Sequence, residues 1–308
     1  MNTSVKKRNY FDKIAKLFFL LITILCASII IIIVAFIFIR GIKPFVSYYE
    51  IDSKLYRVDF LKFISGNTWE TYPNLFSIGF LIVNTFYIII FSLLFAVPSA
   101  IFMALFIARI APKKVALGFT FVVEILASIP SIIYGVFGRG VVTKIVDSIA
   151  GLMNIQTPGG LGTLTSSLVL GMMILPTITL VSITSIKAVK KDIINASLAL
   201  GASTTQTNFK IVLRSALGGV FSGIILGVGR ALGEATAITM VSGNVNSGPS
   251  FGLFEATRTL TTTMLSGFKE SEGLKYDIRF SVGIILIFII LITNFLLKYL
   301  NKKISEKL

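Results

Sequence analysis

Residues 216–241 read ALGGVFSGIILGVGRALGEATAITMV, an apolar run long enough to cross a membrane as a helix. The run nevertheless carries two full charges, Arg230 and Glu234, four positions apart. A charged side chain at the centre of a bilayer costs roughly 2.5–3.5 kcal/mol on insertion scales. We therefore expect these two side chains to face protein or an aqueous path rather than lipid.

The rest of the chain has the same apolar character. Of its 308 residues 55% are hydrophobic and only 14% are charged, more apolar surface than a soluble domain can bury. Because no segment shows the short alternation of a membrane barrel, we predict an all-α integral membrane protein. Its single transmembrane domain, 17–300, lies between tails at 1–16 and 301–308. The six predicted transmembrane helices cover residues 17–39, 77–108, 115–137, 161–186, 216–241 and 280–297.

The charges that give the net value of +15 are distributed as this topology predicts. With the N-terminus inside, the inner segments hold 17 Lys and Arg against 3 Asp and Glu, whereas the outer segments hold 11 against 9. This is the distribution of the positive-inside rule. It predicts a multi-pass protein of the cell membrane with both termini cytoplasmic, whose basic excess meets lipid rather than nucleic acid.

Several kinds of chemistry are missing from the sequence. The chain has no histidine and one cysteine, Cys26, which argues against a transition-metal site and against a Ser-His-Asp triad. It has no Gly-Lys dipeptide, and therefore no Walker A phosphate loop. We expect no catalytic residue, no metal and no cofactor bound by this chain.

The charged run has a pattern of small residues. On a continuous helix, Gly223, Gly227, Arg230 and Glu234 fall at i, i+4, i+7 and i+11 and share one face, which Gly219 extends. Small residues at this spacing let another helix approach closely. The alternative interpretation is a structural i,i+4 ion pair that only locks the bundle.

A second polar stripe lies in the third predicted span. Glu124, Ser128, Ser131 and Gly135 recur at the same spacing, and Glu124 and Ser131 are candidates for a path shared with Arg230. The alternative is a buried glutamate that hydroxyls and backbone satisfy.

The inner segment 187–214 predicts two short helices. Asp192 is a candidate cap for the first, Gly201 is suited to end it, and Ser203-x-x-Gln206 is a capping box for the second. Apolar residues in the first helix indicate a partner surface better than a solvated hairpin does. They are Ile194, Ala196, Leu198, Ala199 and Leu200.

Particular motifs of the chain resemble those of a known family. Asn195-Ala196-Ser197-x-x-x-Gly201, followed by Ile211-x-Leu213, resembles the EAA loop of ABC-importer permeases of the binding-protein-dependent, MetI-like type. The stretches ASIPSIIYG at 127–135 and GVGRALGEATAITMVSGN at 227–244 are similar to PstC-type permeases of phosphate importers, as are ILP at 174–176 and RTLT at 258–261.

This resemblance implies a set of partners and roles. Asn195, Ala196, Ser197, Leu198 and Gly201 would form a coupling helix that docks on an ATPase. The other partners would be a second, PstA-type permease, a PstB-type ATPase dimer that uses the ATP, and an extracytoplasmic PstS-type phosphate-binding protein. The loop departs from the family where Asn195 replaces the usual Glu and Arg214 the usual Pro, so this loop lacks the carboxylate that the family carries.

A phosphate path suits the two charges of the fifth span. The guanidinium of Arg230 matches two oxygens of a tetrahedral oxyanion, and Glu234 can accept the proton that phosphate keeps at neutral pH and sulfate lacks. Together with these charges, the resemblance makes import of inorganic phosphate the expected function. The alternatives are a permease for molybdate or sulfate, an ion-coupled secondary transporter, which would show internal repeats, and a membrane protein that senses phosphate without moving it.

Overall fold

The computed structural model describes residues 3–51, 53–70 and 75–305. Positions 1–2 and 306–308 of the predicted tails lie outside the described residues, as do positions 52 and 71–74.

The first third of the chain contains three helices and two small antiparallel hairpins, in which Tyr49 faces Tyr56 and Trp69 faces Phe76. In chain order these elements are α1 (Thr3–Val46), β1 (Tyr49–Ile51), β2 (Lys54–Tyr56), α2 (Phe60–Ser65), β3 (Trp69–Glu70), β4 (Leu75–Phe76) and α3 (Gly79–Leu105).

The remainder of the described chain consists mainly of helices. The middle part consists of α4 (Lys113–Ser128), α5 (Ser131–Phe137), α6 (Thr143–Leu152) and α7 (Thr163–Lys187). The segment 187–214 contributes α8 (Lys191–Ala199) and α9 (Thr204–Gln206), and α10 (Leu213–Ser215) closes it. The last part consists of α11 (Leu217–Gly233), α12 (Thr236–Val241), α13 (Leu260–Leu265) and α14 (Gly273–Ser305). Single π-helical turns extend three of these helices, at Phe106–Ile110, Gly138–Val142 and Thr207–Val212.

The predicted spans have counterparts in the structure. In the described residues, α1, α3, α7 and α14 are each long and apolar enough to cross a bilayer, and two bent helix pairs raise the number to six if each pair is one span. The bent pairs are α4 with 131–152, at 95°, and 204–215 with α11, at 64°.

Two spans predicted as continuous helices are broken, and this part of the sequence interpretation was wrong. The third breaks between Ser128 and Ser131 because Pro130 disfavours a helical conformation at Ile129. The fifth breaks after Gly233, where Glu234 adopts an extended conformation before α12 begins. Neither polar stripe is therefore a single helical face.

The centre of the bundle is formed by α3, α7 and α11. Small residues of α3 are fully buried against apolar residues of the other two helices, together with one residue of α12. This core contains Ile88, Ile89, Ala96, Ala100, Leu170, Ile174, Ile178, Val228, Ala231, Leu232 and Ile238. We call the end of the bundle that carries 187–214 the coupling-loop end, and the opposite end the far end.

The far end is closed by the segment 242–259. Its backbone carbonyls accept hydrogen bonds from the start of α7, at Thr163 and Leu164, and Asn246 accepts one from the backbone of Trp69. The segment then leads into α13, a short helix whose threonines are buried. The far end is therefore a packed cover, not a set of free loops.

One buried carboxylate joins the first and last helices. Asp277 is 2% exposed, and its oxygens lie 3.3 Å from Arg40 Nη1, 3.4 Å from Lys43 Nζ and 2.8 Å from the Tyr49 hydroxyl. Burial raises the pKa of the Tyr49 phenol well above its usual range, and the bond to Asp277 raises it further, so Tyr49 remains a donor. This cluster fixes the end of α1 on α14.

We predict that Asp277→Asn destabilises the protein, because it removes the charge that three donors share. The loss should be roughly 1.5–3 kcal/mol, as for hydrogen bonds to a charged group, and it should appear as a lower midpoint of thermal unfolding in detergent. Glu272→Gln, an exposed change just before the same helix, is the control and should leave the midpoint unchanged. Equal midpoints for Asp277→Asn and the parent would contradict the assignment.

Candidate substrate path and coupling surface

Arg230 lies near the end of α11 and is half-buried. Its Nη1 donates a hydrogen bond of 3.1 Å to the hydroxyl of Thr177 on α7. In the described residues no carboxylate lies within 4.0 Å of its guanidinium, since the ion pairs found there all involve Asp277. Among the described residues, Arg230 therefore has no ionic partner, and most of its five donors are unpaired in the middle of the bundle.

Glu234 occupies the break that follows α11. Its Oε1 accepts a hydrogen bond of 2.9 Å from the backbone of Ala237 in the first turn of α12, and its carbonyl accepts one of 2.8 Å from the hydroxyl of Thr261. A carboxylate at the start of a helix satisfies an unpaired N–H. Glu234 thus holds together the break between α11 and α12.

The structural ion pair considered from the sequence is not present. Within the part of the chain that the structure describes, no oxygen of Glu234 lies within 4.0 Å of a nitrogen of Arg230. The two side chains have separate neutral partners, on α7 and on the backbone of α12. A cation and a carboxylate are therefore close in sequence without neutralising each other.

The residues of the second stripe are dispersed by the bend. Glu124 is exposed on α4, and Ser131 is the first residue of α5 and half-buried. No hydrogen bond or ion pair joins Glu124 to Arg230 in the described residues. The role of Glu124 and Ser131 in a substrate path stays a prediction.

The bend also borders an open apolar cavity of about 510 Å³. Its lining is formed by Met103, Leu126, Ile129, Ile133, Tyr134, Phe137, Met172 and Leu175. The Tyr134 hydroxyl is engaged with the carbonyl of Leu126 at 2.8 Å. An oxyanion would lose its hydration there without gaining charged partners, so this cavity is not an anion site.

Three of the glycines of α11, Gly219, Gly223 and Gly227, lie against α7. A Cβ added at Gly219 would stand 2.1 Å from Ser185 Oγ, and one at Gly227 would stand 2.9 Å from Ile178 Cγ1. At Gly223 the added atom would meet the backbone oxygen of Ile178 at 3.3 Å. The glycines thus set the distance between the two helices, and this distance lets Arg230 reach Thr177.

The segment 187–214 has two of the three local features predicted for it. Gly201 has a φ of +85° after α8, and the reciprocal capping box of Ser203 and Gln206 is confirmed. Asp192 lies in the first turn of α8 instead of capping it, since Lys190 occupies the cap position. Ser197 shares a hydrogen bond of 2.9 Å with Thr207, which fixes α8 on the following turn.

The exposed surface of this segment includes large apolar residues. Leu198 is 42% exposed and Leu200 is 90% exposed, and Asn195 and Ala196 are also on the surface. Ile194, in contrast, is buried against the bundle, which corrects the prediction that it faces outward. A groove of about 560 Å³ adjoins the segment and is lined by Ser185, Ala188, Ile193, Ser215, Ala216, Gly218 and Gly219.

Sequence reasoning missed two residues beside the charges. Thr177 directly follows the ILP motif, and that position was the only available signal. Thr261 belongs to the RTLT motif, but nothing in the sequence links it to Glu234, 27 positions away.

The chain is similar to known membrane transport proteins. Residues 96–306 match the family model of the binding-protein-dependent transport system inner membrane component. A probable ABC transporter permease, YqgH of Bacillus subtilis, is 33% identical over 251 residues, covering 80% of this chain and 78% of that protein. The phosphate transport system permease PstC of Pasteurella multocida is 29% identical over 262 residues, with 80% and 81% covered.

Solved structures share the fold. The inward-facing MetNI methionine ABC transporter aligns with a TM-score of 0.54 at 19% identity, over 74% of this chain and 94% of that one. A bacterial alginate ABC transporter aligns with a TM-score of 0.54 at 17% identity, over 73% and 78%. The chain therefore belongs to the family of binding-protein-dependent transport system inner membrane components, the permease subunits of ABC importers.

Proposed function

We propose that this chain is the membrane-spanning subunit of an ATP-driven importer of inorganic phosphate. The observation that carries the proposal is the guanidinium of Arg230, which lies mid-bundle with one neutral partner and no carboxylate within 4.0 Å in the described residues. Such a group can bind two oxygens of a tetrahedral oxyanion. The relatives named as phosphate permeases support phosphate as that oxyanion.

Glu234 supplies a basis for selecting phosphate. Its Oε1 accepts one backbone hydrogen bond, and a carboxylate has acceptor capacity beyond that. Phosphate at neutral pH can donate its remaining proton to such an acceptor, whereas sulfate brings only negative charge to it. Phosphate therefore gains a hydrogen bond where sulfate meets repulsion.

The partners follow from the same proposal. A binding protein delivers phosphate at the far end, which is the extracytoplasmic side, and a second permease subunit completes the path. The apolar residues of 187–214 dock on a separate ATPase. In this orientation both termini and the segment 187–214 are cytoplasmic.

Uptake by the reconstituted complex tests the proposed cargo. Proteoliposomes that contain both permeases and the ATPase, with the binding protein outside, should accumulate labelled phosphate in the presence of ATP. Excess sulfate or molybdate should leave that uptake unchanged. Accumulation of sulfate or molybdate in preference to phosphate would overturn the cargo assignment.

Arg230→Lys should reduce phosphate uptake at least tenfold while the complex still assembles. Lysine keeps the charge but loses the planar fork that holds two oxygens at once. Arg57→Lys, at an exposed arginine of the far end, is the matched control and should transport normally. Uptake by Arg230→Lys at the rate of the parent would remove the guanidinium from the path.

Leu198→Asp should prevent recovery of the ATPase with the permease, because it places a charge on the exposed apolar surface of α8. Less than a tenth of the normal ATPase should co-purify, while the amount of permease in the membrane stays the same. Thr205→Asp adds the same charge at an exposed polar position of the same segment and should co-purify normally. Full recovery with Leu198→Asp would refute the docking surface.

A further inference from the structure

Buried hydroxyls at the far end, among them those of Thr163 and Thr257, have no hydrogen-bond partner among the described residues. Three further buried groups there, which can only donate, also lack an acceptor. They are Arg258 Nε, Trp69 Nε1 and Asn84 Nδ2, in side chains that are 6%, 2% and 1% exposed. The oxygen of the Asn84 amide is identified by the hydrogen bond of 3.0 Å that it accepts from the backbone of Ser250, so its free atom is the NH₂ group. A buried donor without a partner costs about 1–3 kcal/mol, and three of them indicate that an acceptor belongs there.

The three residues surround one segment, 246–250. Asn246 accepts from the backbone of Trp69 at 2.7 Å through its carbonyl and from Arg258 Nη1 at 2.7 Å through its side chain. Ser250 contacts Asn84, and the backbone of Leu260, two positions after Arg258, donates to Thr85 at 3.1 Å. Strand β3, α3 and the start of α13 therefore meet at this segment.

The charge of Arg258 is uncompensated in this region, whereas Glu270 partly offsets the charge of the neighbouring Arg279. No carboxylate lies within 4.0 Å of Arg258 among the described residues. Burial, with a smaller contribution from the nearby Arg279, lowers the pKa of Arg258 to about 10, so Arg258 remains a cation at neutral pH beside a second cation. A trapped water would accept hydrogen bonds from the donors but would not compensate the charge, whereas an anion would do both.

The site lies just below the surface and leads inward. Asn246 and Ser247 are exposed on the far end and form its cover. From Arg258 the chain continues through Thr259, whose hydroxyl lies 3.0 Å from that of Thr261, and Thr261 donates to the carbonyl of Glu234. The segment 258–261 thus connects this region physically to the break that holds Glu234.

We propose that Arg258, Trp69 and Asn84 form a second oxyanion site, where the anion is held at the far end before it reaches Arg230. The donor set and the positive charge identify the ligand class as a small tetrahedral oxyanion. The identification of that oxyanion as inorganic phosphate rests on the proposed function.

The chain offers its own reporter, because Trp69 is its single tryptophan. The full chain in phosphatidylcholine vesicles should show a saturable change of tryptophan fluorescence on titration with phosphate. Arg258→Gln should move the midpoint at least tenfold higher. Arg57→Gln, the matched loss of an exposed far-end charge, should leave the midpoint unchanged.

Binding of labelled phosphate provides a second readout. In the Arg230→Lys background, Arg258→Gln should reduce binding at least tenfold, and Trp69→Phe, which keeps the ring but removes the N–H, should weaken it about threefold. Folding of each variant is checked by gel filtration. If Arg258→Gln, folded, binds the labelled ion as its background does, the site is overturned, even when the complex imports phosphate.

The two proposals fail in different ways. A fluorescence change with sulfate or molybdate but not with phosphate, lost in Arg258→Gln, would leave the far-end site in place and refute phosphate as the cargo. The absence of Arg258-dependent binding for all three anions would refute the site without affecting uptake through Arg230.

Discussion

The close approach of α11 to α7 is the constraint on which the rest of the bundle depends. Any side chain at Gly219 or Gly227 would collide with Ser185 or Ile178, so only glycine permits the observed distance between the helices. Within lipid the hydrophobic effect does not drive helices to associate, and van der Waals packing of small residues stabilises the association instead. One turn beyond Gly227, this distance brings Arg230 to the hydroxyl of Thr177.

The position at which α11 ends determines the partners of Glu234. Because the helix stops at Gly233, Glu234 has partners other than Arg230. Its carboxylate accepts a hydrogen bond from the backbone at the start of α12, and its carbonyl accepts one from the hydroxyl of Thr261. Discontinuous helices are one way in which membrane transporters present backbone groups and charges within the bilayer. The break thus leaves Arg230 without a carboxylate partner among the described residues and gives Glu234 a separate partner on α12.

The sequence predicted the spans because apolar length is a local property, and it predicted the capping box because Ser203 and Gln206 are three residues apart. It did not predict the breaks. Pro130 was visible, but a proline can either bend or end a helix. The break after α11 includes a hydrogen bond from Thr261 to the carbonyl of Glu234, and these residues are 27 positions apart in the chain.

The clusters at the far end were missed for the same reason. Asp277 finds its partners 228 and 237 positions away, and Trp69 meets Asn246 only after folding. Among the candidate residues, the sequence placed the glycines on a packing face and left the partners of both charges undetermined. The prediction of one continuous stripe failed because it assumed a regular helix through Glu234.

The charge-swapped double variant, Arg230→Glu with Glu234→Arg, tests the central claim most directly. If the two residues have separate partners, the swap leaves the N–H of Ala237 without its acceptor and removes the guanidinium from Thr177. We expect that neither assembly of the complex nor phosphate uptake returns to the level of the parent. Recovery of both in the double variant, when each single change abolishes them, would show that the residues act as an ion pair and would contradict the account.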